Sequence, residues 1–251
     1  MKTWKLTLEY DGTKYSGWQK QINARTIQGE LEKAAMELLG TKDLEIGGSG
    51  RTDAGVHAIA QVAHLKVRQN LTIDEQRLMW GINDRVPSDL NILKVEKARP
   101  GFHARHDAQS RAYLYQISRR RSAFSKKYVW WIREELDVPL MARCAKMLVG
   151  RHDFVLFAQK DPSRPDESTI VVVDSAEVDT DEHLVLFHIE ASHFLWKMVR
   201  RVVGVLVKLG KHEITEADFL ELLSGRTKNK KLEVAAWTAP SSGLFLEKVR
   251  Y

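Results

Sequence analysis

Between residues 47 and 58 four glycines crowd around one arginine and one aspartate, in the order Gly47-Gly48-Ser49-Gly50-Arg51-Thr52-Asp53-Ala54-Gly55-Val56-His57-Ala58. Glycine has no Cβ, so it permits tight turns and close approach to the backbone, at an entropic cost that needs a reason. Leu44 to Gly47 reads as a short strand. After the turn, Ile59, Gln61, Ala63, Leu65 and Val67 alternate with Val62, His64 and Lys66, the period of a second strand. The turn therefore joins strand to strand. A nucleotide-phosphate loop instead needs a helix whose N-terminus faces the phosphate. Both phosphate-loop fingerprints also fail in their letters. One needs a third glycine where Asp53 stands, and the other needs lysine where Val56 stands. What remains is a reactive carboxylate, Asp53, held by a turn whose glycines let the backbone turn tightly or lie close to a ligand.

The rest of the chain alternates strand and helix periods. Trp4, Leu6, Leu8 and Tyr10 form a half-buried strand ending at the turn signal Asp11-Gly12. Thr26 offers a helix N-cap, with Ile27, Leu31, Ala34, Ala35, Leu38 and Leu39 on one face and Gly40 as the stop. Asp74 caps a second helix through Leu78, Met79 and Ile82, closed by Pro87, and Leu90 to Val95 reads as a strand. Gly101 to His106 forms the passage to a second half. There Arg111, Tyr113, Tyr115 and Ile117 alternate along a strand. Asp137 and Pro139 open a helix through Leu140, Met141, Cys144 and Leu148, ended by Gly150. Lys160 to Glu167 is a polar loop with two prolines, and Ile170 to Val173 and Leu184 to Ile189 are central strands. Phe194 to Val207 is the most apolar helix, Thr215 caps another through Phe219, Leu222 and Leu223, and Leu244, Leu246 and Val249 close the chain as a strand. Two α+β halves are expected, 1–104 and 105–251.

Hydrophobic residues at 43% and charged residues at 29% describe a globular chain. No apolar run reaches the length of a membrane span, and Met1 to Trp4 opens directly into a strand, which together predict a cytoplasmic protein. The lone Cys144 reads as core filler in a reducing compartment. A formal charge of +6 invites a polyanionic partner, provided the cations are placed for it. Lys14-Tyr15-Ser16-Gly17-Trp18-Gln19-Lys20 interleaves cations and rings, which either stack on bases or fold inward as an ordinary loop. Arg119-Arg120-Arg121 and Lys126-Lys127 are either solvated surface or part of an RNA-binding face. His103 and His106 with Asp107 raise a metal site only weakly, since no further ligand cluster is nearby in the sequence. Arg200 falls inside the most apolar helix, where it must snorkel to water or meet an anion.

Taken in order, several motifs resemble the TruA family of tRNA pseudouridine synthases. They are Glu9 to Gln19, Gly50 to Ala58, Phe102-His103-Ala104-Arg105, Arg111-x-Tyr113-x-Tyr115, Met198-Val199-Arg200-x-x-Val203-Gly204, Thr238-Ala239-Pro240 and Gly243 to Leu246. The resemblance spans nearly the whole chain. It implies two RRM-like (ferredoxin-like) α+β domains whose antiparallel sheets form a shared basic cleft, and a homodimer. The implied reaction turns uridine into pseudouridine at nucleotides 38, 39 and 40 of the tRNA anticodon arm, without metal or organic cofactor. By the same resemblance Asp53 is the catalytic aspartate, Tyr113 the base-stacking ring, Arg200 the basic partner of Asp53, and Arg51 the arginine that helps flip the target. Lys14, Trp18, His57, His103, Arg105 and Arg111 are expected RNA contacts. At Ser168 many relatives carry arginine, which concerns a peripheral RNA contact.

The chemistry fits those residue types. The N1–C1′ bond must break, the base rotate and C5 bond to C1′, with no atom entering or leaving. That requires a nucleophile or base and a pocket that retains the free base. An ionised Asp53 supplies the first, and a cation within about 4–6 Å offsets the cost of burying it. A stacked base must first be flipped out, and a ring such as Tyr113 then holds it. Attack at C1′, attack at C6 and removal of a sugar proton all use the same carboxylate. The rivals are a non-catalytic RNA-binding module, and a metal-dependent phosphoesterase built on Asp53, His57 and His64, which a chelator would inhibit.

Overall fold

The computed structural model describes residues 2–68, 72–162 and 166–251. Ser163, Arg164 and Pro165 of the expected polar loop lie outside them. The chain is α+β and forms two compact units, Met1–Gln109 with Phe245–Tyr251, and Ser110–Leu244.

In the first unit the strands are β1 (Lys2–Tyr10), β2 (Leu44–Gly48), β3 (His57–Val67) and β4 (Leu90–Lys97), and the helices are α1 (Ile27–Leu39) and α2 (Glu75–Asn83). β4, β1 and β3 lie side by side and β2 pairs with the far half of β3, all antiparallel. Chain order β-α-β-β-α-β with strand order 4-1-3-2 is the ferredoxin-like arrangement. Trp4, Leu6 and Leu8 are buried on β1, and Ile27, Leu31, Ala34 and Ala35 on the apolar face of α1. The expected caps are in place. Thr26 accepts from Gly29 N at 3.3 Å, Gly40 ends α1 in the left-handed region, and Asp74 accepts from Arg77 N at 2.8 Å. Each such N-cap stabilises its helix by about 1 kcal/mol.

The second unit contains β5 (Ser110–Ser118), β6 (Trp130–Trp131), α3 (Val138–Lys146), β7 (Gly150–Asp153), β8 (Ile170–Asp181), β9 (Leu184–Ala191), α4 (Met198–Gly210) and α5 (Glu216–Leu223). β5, β9, β8 and β7 form an antiparallel sheet in that order, and β6 joins β5 in parallel. Asp137 caps α3, and Thr215 with Asp218 forms a capping box on α5.

Three expectations change. α3 ends at Lys146, and Gly150 opens β7 with φ +111° instead of ending the helix. α4 starts at Met198, four residues later than its apolar run, because Lys197 takes φ +62° and breaks the helical path. The closing strand β10 (Leu244–Arg250) belongs, from Phe245 onward, to the first unit, not to the second half. It runs parallel to the start of β3, pairing Phe245 with His57 and Leu246 with Ala58. Gln109 N donates to Arg250 O at 2.9 Å and Tyr251 Oη to Ala104 O at 2.7 Å, so the first unit ends at Gln109 and not at residue 104.

Candidate active site

Asp53 sits half-buried in the irregular segment between β2 and β3, and the polar groups around it are tied down individually. Val56 N donates to Asp53 O at 3.2 Å and closes the turn, helped by Gly55 at φ +76°, a conformation costly for any residue with a Cβ. Before it, the Thr52 carbonyl accepts from Trp18 N at 3.1 Å, and the Thr52 hydroxyl lies 2.8 Å from the buried Tyr10 hydroxyl. Burial pushes the Tyr10 phenol up to about 12, so it remains a neutral hydrogen-bonding group. Gln61, fully buried on β3, accepts from Ser49 Oγ at 2.6 Å and donates to Gly50 O at 3.3 Å. Tyr10, Thr52, Ser49 and Gln61 thus hold the backbone on the N-terminal side of Asp53. Sequence reading missed this clamp; its signal was the presence of Gln61 and Tyr10 at inward positions of strands.

Two of the glycines serve a different purpose from the one expected of them. A Cβ on Gly47 would lie 2.5 Å from the His64 ring, and one on Gly48 would lie 2.5 Å from the Trp18 indole. Those two positions make room for the protein's own side chains, not for RNA. Gly50 does face open space, with nothing within 4 Å of an added Cβ. The same burial corrects two expected RNA contacts. Trp18 is 2% exposed and His57 1% exposed, so neither ring offers a surface. His57 Nδ1 accepts from Gly12 N at 3.1 Å and its ring stacks on Phe245, 4.7 Å between centroids, which fastens the turn to the segment after β1 and to β10. Lys14 and Arg51 are exposed, as an RNA contact requires.

His103 and Arg105 are half-buried beside a histidine cluster. Glu45, His64 and His103 bring ligand-type atoms within 4.8 Å of one another. Hydrogen bonding decides how that cluster is used. His64 Nδ1 accepts from Ala104 N at 3.1 Å, and His103 Nδ1 from Arg105 N at 3.2 Å, so the neutral rings carry their hydrogens on Nε2. His64 Nε2 then donates to Glu45 Oε1 at 3.0 Å instead of presenting a lone pair to a metal. Burial holds the pKa of His64 below its ordinary value of 6.5. The unfolded chain therefore binds that proton first, so the stability contributed is complete above about pH 6.5 and is lost as pH falls. His64→Asn keeps an acceptor for Ala104 N but does not titrate. Thermal melts should show wild type losing stability from pH 7 to 5 more steeply than the variant; parallel curves would contradict this.

In the second unit Tyr113 and Tyr115 share one face of β5. Tyr113 meets Phe194 edge-on at 5.0 Å, and Tyr115 Oη donates to Pro240 O at 2.8 Å. Arg111 donates from Nη1 to Ser192 O at 2.9 Å. Arg200, in the first turn of α4, donates from Nε to Ala239 O at 2.7 Å, which fixes its guanidinium plane, and Ala239 N donates back to Arg200 O at 3.0 Å. Its neighbour Arg201 is the more deeply buried, and burial lowers its pKa.

Sequence comparison with characterised families decides what this arrangement belongs to. A family model described as tRNA pseudouridine synthase matches residues 7–107 and 144–251. The chain belongs to the tRNA pseudouridine synthase family. This is a family of isomerases, and its match takes in Asp53 and Arg200 while leaving residues 108–143 outside. The chain is 37% identical over 253 residues to tRNA pseudouridine synthase A of Clostridium acetobutylicum, with both chains fully covered. Full-length similarity also extends to the proteins of that name from Clostridium botulinum, at 34%, and Dictyoglomus thermophilum, at 37%. Among the described residues no helix is long and apolar enough to cross a membrane.

Proposed function

We propose that this protein converts uridine to pseudouridine at nucleotides 38, 39 and 40 in the anticodon arm of tRNA, as a cytoplasmic homodimer using neither metal nor organic cofactor. Asp53 is the nucleophile or base that works on the flipped-out uridine. The observation that carries this reading is the clamp of Tyr10, Thr52, Ser49 and Gln61, which holds a single half-buried carboxylate in a family whose reaction needs one. Pre-fixed geometry of this kind lowers the cost of aligning the carboxylate with the reacting atoms. Tyr113 stacks on the detached base, which limits its escape while it rotates. Arg51, exposed beside the turn, fills the vacated stack and holds phosphate. Arg200 keeps Asp53 ionised, with its plane set by the Ala239 carbonyl.

The reading is tested by incubating the purified protein with full-length tRNA transcripts and mapping pseudouridine by position. Product at nucleotides 38–40 supports it, and product elsewhere or none overturns it. Arg200→Met separates the partner role from simple RNA binding. Single-turnover assays should show about a hundredfold or greater loss in the chemical step with a much smaller loss in tRNA affinity. Equal losses would make Arg200 a phosphate contact instead.

A further inference from the structure

The segment that joins β5 to β6 is left unexplained by the site. From Arg119 to Tyr128 it holds five cations and no carboxylate, and without it the chain's formal charge of +6 would fall to +1. The excess charge of the whole molecule is therefore concentrated in ten residues. This segment also lies in the stretch that the family model leaves unmatched.

It is a built structure. β6 pairs with the end of β5, and Ile132 N donates to Ser118 O at 3.0 Å, so both ends are pinned. The Ser118 hydroxyl donates to Arg120 O at 2.6 Å, and Ser122 Oγ accepts from Ser125 N at 3.2 Å to start a single 3-10 turn over Ser125–Lys127. At the head of that turn Phe124 is 92% exposed, with Trp131 and Tyr128 also partly open to solvent. The Arg121 guanidinium lies over the Trp131 ring at 5.6 Å from its centroid. Arg119 is turned back onto Glu182 O, while Arg120, Arg121, Lys126 and Lys127 are exposed. Large exposed rings among exposed cations are what a nucleic-acid strand needs, with charge for phosphates and a π-face for a base. An acidic protein partner would be served by the charge alone and gives no reason for an open Phe124.

We propose that the β5–β6 arm is a second tRNA-binding surface, with Arg120, Arg121 and Lys126 on backbone phosphates and Phe124 stacked on an unpaired base. Ser118 lies five residues beyond Tyr113 along β5, roughly 17 Å at strand spacing. The arm therefore touches tRNA away from the nucleotide being isomerised, and acts on binding more than on chemistry. The inference rests on the proposed tRNA substrate.

The test compares wild type with Arg120→Ala/Arg121→Ala/Lys126→Ala, using full-length tRNA transcript, a salt titration of Kd and steady-state kinetics. The triple variant should raise KM roughly tenfold, change kcat far less, and flatten the slope of log Kd against log salt by about 2–3. Arg120→Lys/Arg121→Lys/Lys126→Arg should restore all three readings. Phe124→Ala should weaken binding about tenfold with the salt slope unchanged. Wild-type slope and KM in the triple variant would overturn the proposal, as would failure of the charge-preserving variant to rescue. Unchanged tRNA affinity together with lost binding to phosphatidylglycerol vesicles would also overturn it, in favour of a lipid surface. If wild type binds tRNA with this arm yet forms no pseudouridine, the functional reading fails and the arm stands.

Discussion

Asp53→Asn is expected to bind tRNA with near wild-type affinity and to lose pseudouridine formation by about a thousandfold or more, the upper range for removing a group that acts as acid or base. The substitution is close to isosteric. The Tyr10–Thr52 contact, the Gln61 bonds and the closure of the turn by Val56 N all use atoms other than the Asp53 carboxylate. The turn should therefore persist, and what disappears is the negative charge, with one acceptor oxygen replaced by an NH2 donor. A non-catalytic RNA-binding module would respond in neither binding nor product. Measured with radiolabelled tRNA, turnover within a few-fold of wild type would remove Asp53 from the chemistry.

A large stability effect is expected at Gly12→Ala, far from Asp53 in sequence but against the same turn. A Cβ at Gly12 would lie 1.9 Å from the Val56 carbonyl oxygen and 2.6 Å from its carbon. Both atoms are backbone, so no side-chain rotation relieves the overlap. Either the residues after β1 or the Asp53–Val56 turn must move, and the Gly12 N–H bond to His57 moves with them. Overpacking of this kind costs about 3 kcal/mol, equivalent to a fall in Tm of roughly 10 °C. Activity should fall further than stability alone requires, because the displaced backbone carries Asp53. A calorimetric scan with an unchanged Tm would refute the packing described around the turn.

Features written in a few adjacent residues were legible in the sequence. Thr26, Asp74, Asp137 and Thr215 cap helices because a short polar side chain before an apolar run satisfies backbone N–H groups locally. Alternation along β1, β3 and β5 marks strands for the same local reason. The Asp53 turn was legible because it gathers glycines as a phosphate loop does yet breaks both phosphate-loop patterns at a residue each requires. Partners distant in sequence were not legible. Gly47 and Gly48 look like room for a ligand until His64 and Trp18 are seen in that room. A ring beside lysines reads alike whether it faces outward or inward, and Trp18 faces inward. Phe245–Tyr251 shows an ordinary strand period that says nothing of its parallel pairing with residues near 57. The Tyr10, Thr52, Ser49 and Gln61 clamp joins three chain segments, and such a network has no local pattern to announce it.

The central claim is that one carboxylate, Asp53, isomerises uridines of the tRNA anticodon arm. It is tested most directly by mapping pseudouridine in total tRNA from a strain lacking this protein, complemented with wild type or with Asp53→Asn. Pseudouridine at nucleotides 38–40 should disappear, return with wild type and stay absent with Asp53→Asn. Anticodon arms that keep their pseudouridines in the deletion strain, or regain them with Asp53→Asn, would contradict it.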